Sequence, residues 1–122
     1  MSNTEPSVFT RIVAREIPAD IVFESDTVLA ITDIAPKAPV HLLVFPKTQQ
    51  YRTVAELASG DPELLAEVVA VAQSLADART DGEFRLVFNT GESAGQTVFH
   101  VHAHVLGTEA RGGQLTEGSL AE

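Results

Sequence analysis

The chain has 122 residues and no cysteine. That excludes disulfides, a thiolate nucleophile and a cysteine-based zinc cluster, and it fits a reducing compartment. Basic residues are scarce: 8 Lys and Arg stand against 17 Asp and Glu, a net charge of −9 with histidine neutral. Neither a basic patch nor a polybasic tail is visible, which argues against a general nucleic-acid or anionic-membrane binder. An acidic chain still binds a phosphate where backbone N–H groups and imidazoles supply local positive potential. No apolar run approaches the roughly 20 residues a membrane helix needs. The polar start, Met1 to Ser7, has no apolar stretch of the secretory-signal kind. Together these absences predict a cytoplasmic protein with no membrane and no nucleic-acid partner.

What is present is an ordinary globular composition, 44% hydrophobic and 20% charged. It predicts one domain over residues 1–122, with a core at about 7–107 and a polar, glycine-containing tail over 108–122. Three of the four histidines, His100, His102 and His104, alternate with Val101, Ala103 and Val105. Period two is the strand pattern, so the stretch from Val98 to Gly107 is expected to put three imidazoles on one face and small apolar groups on the other. A helix would scatter them at roughly 200° between neighbours.

Three readings of this row compete. It is a surface strand rich in histidine, a metal site, or a site of nucleophilic or acid–base chemistry on a charged substrate. A single ion cannot take all three rings, because His100 and His104 lie roughly 13 Å apart on a straight strand at about 3.4 Å per residue. Two could share a zinc if His41 or a carboxylate joined them. Imidazole titrates near neutral pH, and its two nitrogens are told apart by the hydrogen bond each makes, which suits the third reading.

Ser7 reads as the cap of a short helix carrying Phe9, Ile12 and Val13 and ending before Pro18. Residues 21–24 and 27–32 read as two strands about a Ser25-Asp26 turn. The loop from Asp33 to Pro39 leads to an almost wholly apolar strand, 40–45, expected to be central and covered on both faces. Thr53 to Glu56 has the capping-box pattern. Asp61-Pro-Glu63 opens a longer helix whose face of Leu64, Val68, Val71 and Leu75 covers the sheet, running to about Arg79. Residues 84–89 read as a fourth strand. Between it and the histidines, residues 90–97 form a loop with two glycines, whose backbone N–H groups can approach an anion closely.

The stretch Phe99-His-Val-His-Ala-His-Val-Leu106 resembles the signature of the histidine triad superfamily. Four further stretches are similar to its nucleotide-binding branch, the purine nucleoside phosphoramidases called Hint proteins: 12–18, 29–36, 38–47 and 94–100. The resemblance spans about residues 7–107 in collinear order. It implies an α+β domain, a five-stranded antiparallel sheet with packed helices, assembled as a twofold homodimer with two active sites. It implies cleavage of a nucleoside 5′-phosphoramidate, such as adenosine 5′-monophosphoramidate, to AMP and an amine. His102 would attack the α-phosphate and form a nucleotidyl-histidine intermediate that water hydrolyses.

By the same resemblance His41, His100, His104 and Thr97 complete the catalytic set. Thr97, His104 and the backbone at Gly95 and Gln96 contact the phosphate and leaving group. Asn89 lies near ribose and phosphate, Asp33 binds the ribose hydroxyls, and Ile34 and Phe9 flank the purine base. No cofactor and no resident metal are implied. Two departures stand out: Thr97 where many relatives have serine, and Gln49 and Gln50 where relatives often have another histidine. The tail also lacks the Trp-containing ending of the animal proteins. The rival readings are a dinucleoside polyphosphate hydrolase of the same superfamily, a non-catalytic nucleotide-binding protein and a metal-dependent enzyme.

Overall fold

The computed structural model describes residues 5–108 and Leu115. The remainder of the tail, on which the sequence predicts a polar extension, lies outside the described residues. The elements are α1 (Val8–Val13), β1 (Ile21–Glu24), β2 (Val28–Thr32), β3 (Val40–Pro46), α2 (Val54–Gly60), α3 (Pro62–Arg79), β4 (Arg85–Val87) and β5 (Ala103–Gly107). The strands form one sheet in the order β1-β2-β3-β5-β4, and every neighbouring pair is antiparallel. The expected α+β architecture is the one observed. No helix among the described residues is long and apolar enough to cross a membrane.

The helix starts follow their capping residues. Ser7 Oγ accepts from the Thr10 N–H at 3.0 Å, Thr53 Oγ1 from Glu56 N–H at 3.2 Å, and Asp61 Oδ1 from Leu64 N–H at 3.1 Å. Each satisfies a donor that the first turn leaves without a partner. The Glu56 carboxylate reaches back to the Arg52 N–H at 2.8 Å, one residue earlier than the reciprocal bond of a standard capping box.

β3 is buried along its whole length, as expected for a central strand. Its side chains alternate between two cores. Val40, Leu42 and Val44 pack with Leu64, Val68, Ala72 and Leu75 of α3. Leu43 and Phe45 pack with Phe9 and Ile12 of α1 and with Leu29 and Ile31 of β2. Burying each such side chain is worth roughly 1.5–3 kcal/mol relative to leaving it in water. The sheet is thus covered on one face by α3 and on the other by α1, and His41 points to the α1 side.

Four strands differ in their bounds from the sequence reading, β3 by running one residue further, to Pro46. β2 begins at Val28 rather than Thr27, because Ser25 Oγ takes both the Thr27 and Val28 N–H groups and holds a longer turn. β4 is only Arg85–Val87, paired on one side with β5. β5 itself covers Ala103–Gly107 instead of starting at Val98. His100 and His102 therefore precede the strand, and only His104 lies in it. Continuing the β4–β5 register, Asn89 falls opposite His102, outside β5.

Candidate active site

His41 on β3 pairs with Leu106, and His104 on β5 pairs with Leu43. That register makes the two histidines diagonal neighbours on the same face, a separation that long side chains bridge. Their rings meet with Nε2 of His41 3.0 Å from Nδ1 of His104. The sheet register, rather than proximity in sequence, brings the fourth histidine to the triad.

The hydrogen-bond partners fix each tautomer. The Lys37 backbone N–H donates to Nδ1 of His41 at 2.9 Å, so the proton of neutral His41 sits on Nε2. That proton faces Nδ1 of His104, which therefore accepts, leaving the His104 proton on Nε2. Nδ1 of His102 lies 2.9 Å from the carbonyl of His100. A carbonyl only accepts, so His102 is protonated at Nδ1 and its Nε2 carries the lone pair. Nε2 of His100 donates to the Pro46 carbonyl at 2.7 Å, and Ser7 Oγ stands 2.7 Å from its Nδ1.

All four rings are held neutral. Burial pushes the imidazoles of His100 and His104 down to about 4, and it lowers those of His41 and His102 as well. For His104 the neighbouring His102 and His41 add to burial, since several imidazolium ions cannot crowd together. Asp33 opposes burial at His41, with Oδ2 3.3 Å from Nε2. Its other oxygen accepts the Ala35 N–H at 2.7 Å, so Asp33 also caps its loop.

The rings form a continuous row. His41 and His104 centroids lie 5.2 Å apart, His104 and His102 5.2 Å, and His102 and Phe9 4.9 Å. Phe9 stacks on Phe45 at 4.3 Å and meets His100 edge-on at 5.5 Å. His100 is wholly buried, and His102 and His104 are partly buried. Phe9 itself is only 5% exposed, so its main contacts are with the core and the triad.

The loop before the triad is rigidly built. Gly91 and Gly95 have φ of 92° and 95°, a region that residues with a Cβ avoid. The Gly95 N–H donates to the Glu92 carbonyl and the Gln96 N–H to the Gly91 carbonyl, both at 3.0 Å. Both amides expected to meet a phosphate thus close the loop's own turns. The Gln96 side chain is buried and structural. It donates to the carbonyls of Arg52 (2.7 Å) and Val98 (3.1 Å) and accepts the Gly91 N–H at 2.9 Å.

The structure brings together His41, His100, His102, His104, Asp33 and Phe9. Thr97 is exposed and Asn89 half-buried on the segments flanking the row, and Ile34 projects from the loop beside Asp33, 96% exposed. A cavity of about 390 Å³ is lined by Thr32, Asp33, Pro36, Pro39, Val40, His41, Leu42 and Arg79. Of the four histidines only His41 lines it. Sequence reasoning gave no functional part to Ser7, to the Lys37 amide or to the Pro46 carbonyl. Backbone groups leave no mark in a sequence, and Ser7 registers only as a helix cap.

Asp33, His41 and His104 offer ligand atoms within 4.8 Å of one another, a set that could hold a metal ion. The Lys37 amide weighs against it. A metal on Nε2 of His41 would send the proton to Nδ1, where another N–H already points.

The HIT domain family matches residues 14–111. The chain belongs to that family. Among its relatives is an uncharacterized HIT-like protein of Synechococcus elongatus, 44% identical over 106 residues, 85% of this chain and 91% of the relative. The purine nucleoside phosphoramidase of Escherichia coli is 36% identical over 118 residues, 95% of this chain and 98% of that enzyme. A HIT family hydrolase from Legionella pneumophila superposes with a TM-score of 0.79 at 41% identity, covering 92% of this chain and 97% of that one. The HIT assignment accounts for the triad's spacing and for the sheet that carries it.

Proposed function

We propose that this HIT protein is a hydrolase of purine nucleoside 5′-phosphoramidates, acting as a twofold homodimer in the cytoplasm. The observation that carries this reading is the tautomer of His102. Its Nδ1 proton is spent on the His100 carbonyl, so Nε2 carries the lone pair on a partly buried ring. In the reaction Nε2 attacks the α-phosphorus, and the P–N bond to the amine breaks. The departing amine takes the Nε2 proton of His104. Water, giving a proton to Nε2 of His104, then attacks the phosphorus of the nucleotidyl-histidine, which breaks the second P–N bond and returns His102, His104 and AMP to their starting forms. Two displacements through a good leaving group replace one difficult attack by water.

The remaining residues supply charge and position. The N–H of His104 and the Thr97 hydroxyl offset charge on the transferring phosphoryl. The backbone of Gly95 and Gln96 shapes the loop beside it. Asp33 accepts from the ribose hydroxyls, Asn89 lies near ribose and phosphate, and Ile34 and Phe9 border the purine. His41 sets the proton on His104. No step requires a metal.

The test is direct. Adenosine 5′-monophosphoramidate should turn over with retention at phosphorus, and rapid quenching should trap an adenylyl group on His102. H102A should lower kcat by orders of magnitude while AMP still binds. Wild-type turnover in H102A, or inversion at phosphorus, overturns the mechanism. A kcat/KM higher for a dinucleoside polyphosphate than for the phosphoramidate would reassign the substrate.

A further inference from the structure

His100 touches no solvent and faces no substrate, yet it carries the carbonyl that orients the nucleophile. What holds His100 therefore decides where His102 points. Its Nε2–H is tied to the Pro46 carbonyl, at the end of β3. Its Nδ1 faces the hydroxyl of Ser7, 93 positions away in sequence, at 2.7 Å.

Ser7 has one hydrogen to give and two candidate acceptors. Nδ1 of His100 is at 2.7 Å and Thr10 Oγ1 at 3.1 Å. Thr10 Oγ1 already gives its own hydrogen to Gln49 Oε1 at 2.6 Å. The shorter contact takes the Ser7 hydrogen, while the Ser7 oxygen accepts the Thr10 N–H that caps α1. The Ser7 main chain is anchored too. Its N–H donates to Gln49 Oε1 at 2.9 Å, and the Gln49 amide donates to the Glu5 carbonyl at 2.8 Å. One hydroxyl thus serves a helix start and a buried imidazole at once.

We propose that Ser7 is a positioning residue for the nucleophile: by donating to Nδ1 it locks His100 as the neutral Nε2–H tautomer, and so fixes the carbonyl that aims His102. The inference rests on the phosphoramidase reading for its kinetic consequence only. Burial favours the same neutral ring, pushing the His100 imidazole down to about 4. Without the hydroxyl, Nδ1 becomes a buried acceptor with no donor, and the ring gains a reason to turn. A shift of about 1 Å at a reacting group costs on the order of 100-fold in rate.

Three variants of the full chain separate this role from helix capping. S7T keeps both the cap and the donor. S7D keeps the cap, since Asp caps as well as Ser, but offers His100 Nδ1 only an acceptor. S7A loses both. The expected result is wild-type kcat in S7T, and a fall of about tenfold to a hundredfold in S7D and S7A with KM nearly unchanged. In parallel, ¹⁵N spectra of the imidazoles should show the Nε2–H tautomer of His100 in wild type and S7T, and a proton on Nδ1 in S7D.

Wild-type kcat in S7D with a slow S7A would make Ser7 a helix cap alone and overturn the proposal. So would His100 nitrogen signals that do not change in S7D. Should S7D fail to fold, S7G decides by the same two readouts, because glycine keeps most of the cap but has no hydroxyl to donate: wild-type kcat and unchanged His100 signals in S7G would overturn the proposal. Altered His100 signals in a chain that turns over no phosphoramidate would sink the proposed reaction and leave the tautomer lock standing.

Discussion

Asp33 and His104 compete for one proton on His41: Oδ2 of Asp33 lies 3.3 Å from His41 Nε2, and Nδ1 of His104 lies 3.0 Å from it. The Lys37 amide closes the other side of the His41 ring, so Nε2–H has nowhere else to go. In the proposed complex the ribose hydroxyls donate to Asp33, which weakens its claim and leaves the proton to His104. Nucleotide binding would then set His104 as the donor to the leaving amine.

Replacing His41 tests this relationship. In H41A, Nδ1 of His104 loses its donor, and the proton can move from Nε2 to Nδ1. General acid catalysis is typically worth 10²–10⁴-fold. We expect kcat with an alkylamine leaving group to fall by about 10²-fold, and with an activated aryl leaving group far less, because the latter departs without a proton. A loss of equal size for both leaving groups would show that His41 acts elsewhere. The measurement is kcat for the two substrates in wild type and variant.

Much of this site was legible in the sequence, and the limits have identifiable causes. The caps at Ser7, Thr53 and Asp61 and the buried face of α3 follow from local rules, so the sequence reading and the structure agree there. The triad did not form the expected strand of alternating rings. Side chains and a distant backbone replace ladder partners along it. Gln96 takes the Val98 carbonyl, the His102 ring takes the His100 carbonyl, and the Val101 N–H donates to the Tyr51 carbonyl at 3.0 Å. Period two identifies alternating residues but is blind to such substitutes. His41 gave no local sign of its partner either, since its place beside His104 comes from the β3–β5 register.

The depressed histidine values fix the sign of the pH dependence of stability. His100 titrates at about 4 in the folded chain against an ordinary 6.5. Between those values the unfolded chain binds a proton that the folded chain refuses, so stability falls as pH drops below about 6.5. Above 6.5 both states are neutral and the effect vanishes. His100 alone should remove about 2 kcal/mol by pH 5, and His104 acts in the same sense. Urea midpoints at pH 7.5 and pH 5 measure it. H100Q should flatten the dependence, and a wild-type midpoint that does not move between these pH values would contradict neutral burial of the ring.

Gln96 should matter to stability before it matters to chemistry. Its side chain is 1% exposed and satisfies three backbone groups: the carbonyls of Arg52 and Val98 and the N–H of Gly91. Truncation leaves those groups without partners in a buried setting, at about 1–3 kcal/mol for each group that water does not reach. Q96A should therefore lower the urea midpoint at unchanged m-value. It should also loosen the turn at Gly91 and Gly95, so amide hydrogen exchange should quicken at the Gly95 and Gln96 N–H groups. Q96E is the sharper variant. Its carboxylate still accepts from Gly91 but cannot donate, and it faces two carbonyls at close range. We expect it to be less stable than Q96A at pH 7 and to recover as the carboxyl protonates at lower pH. Equal stability of Q96E and wild type at pH 7 would mean that the Arg52 and Val98 carbonyls do not depend on this amide, and that the loop is held by its glycine turns alone.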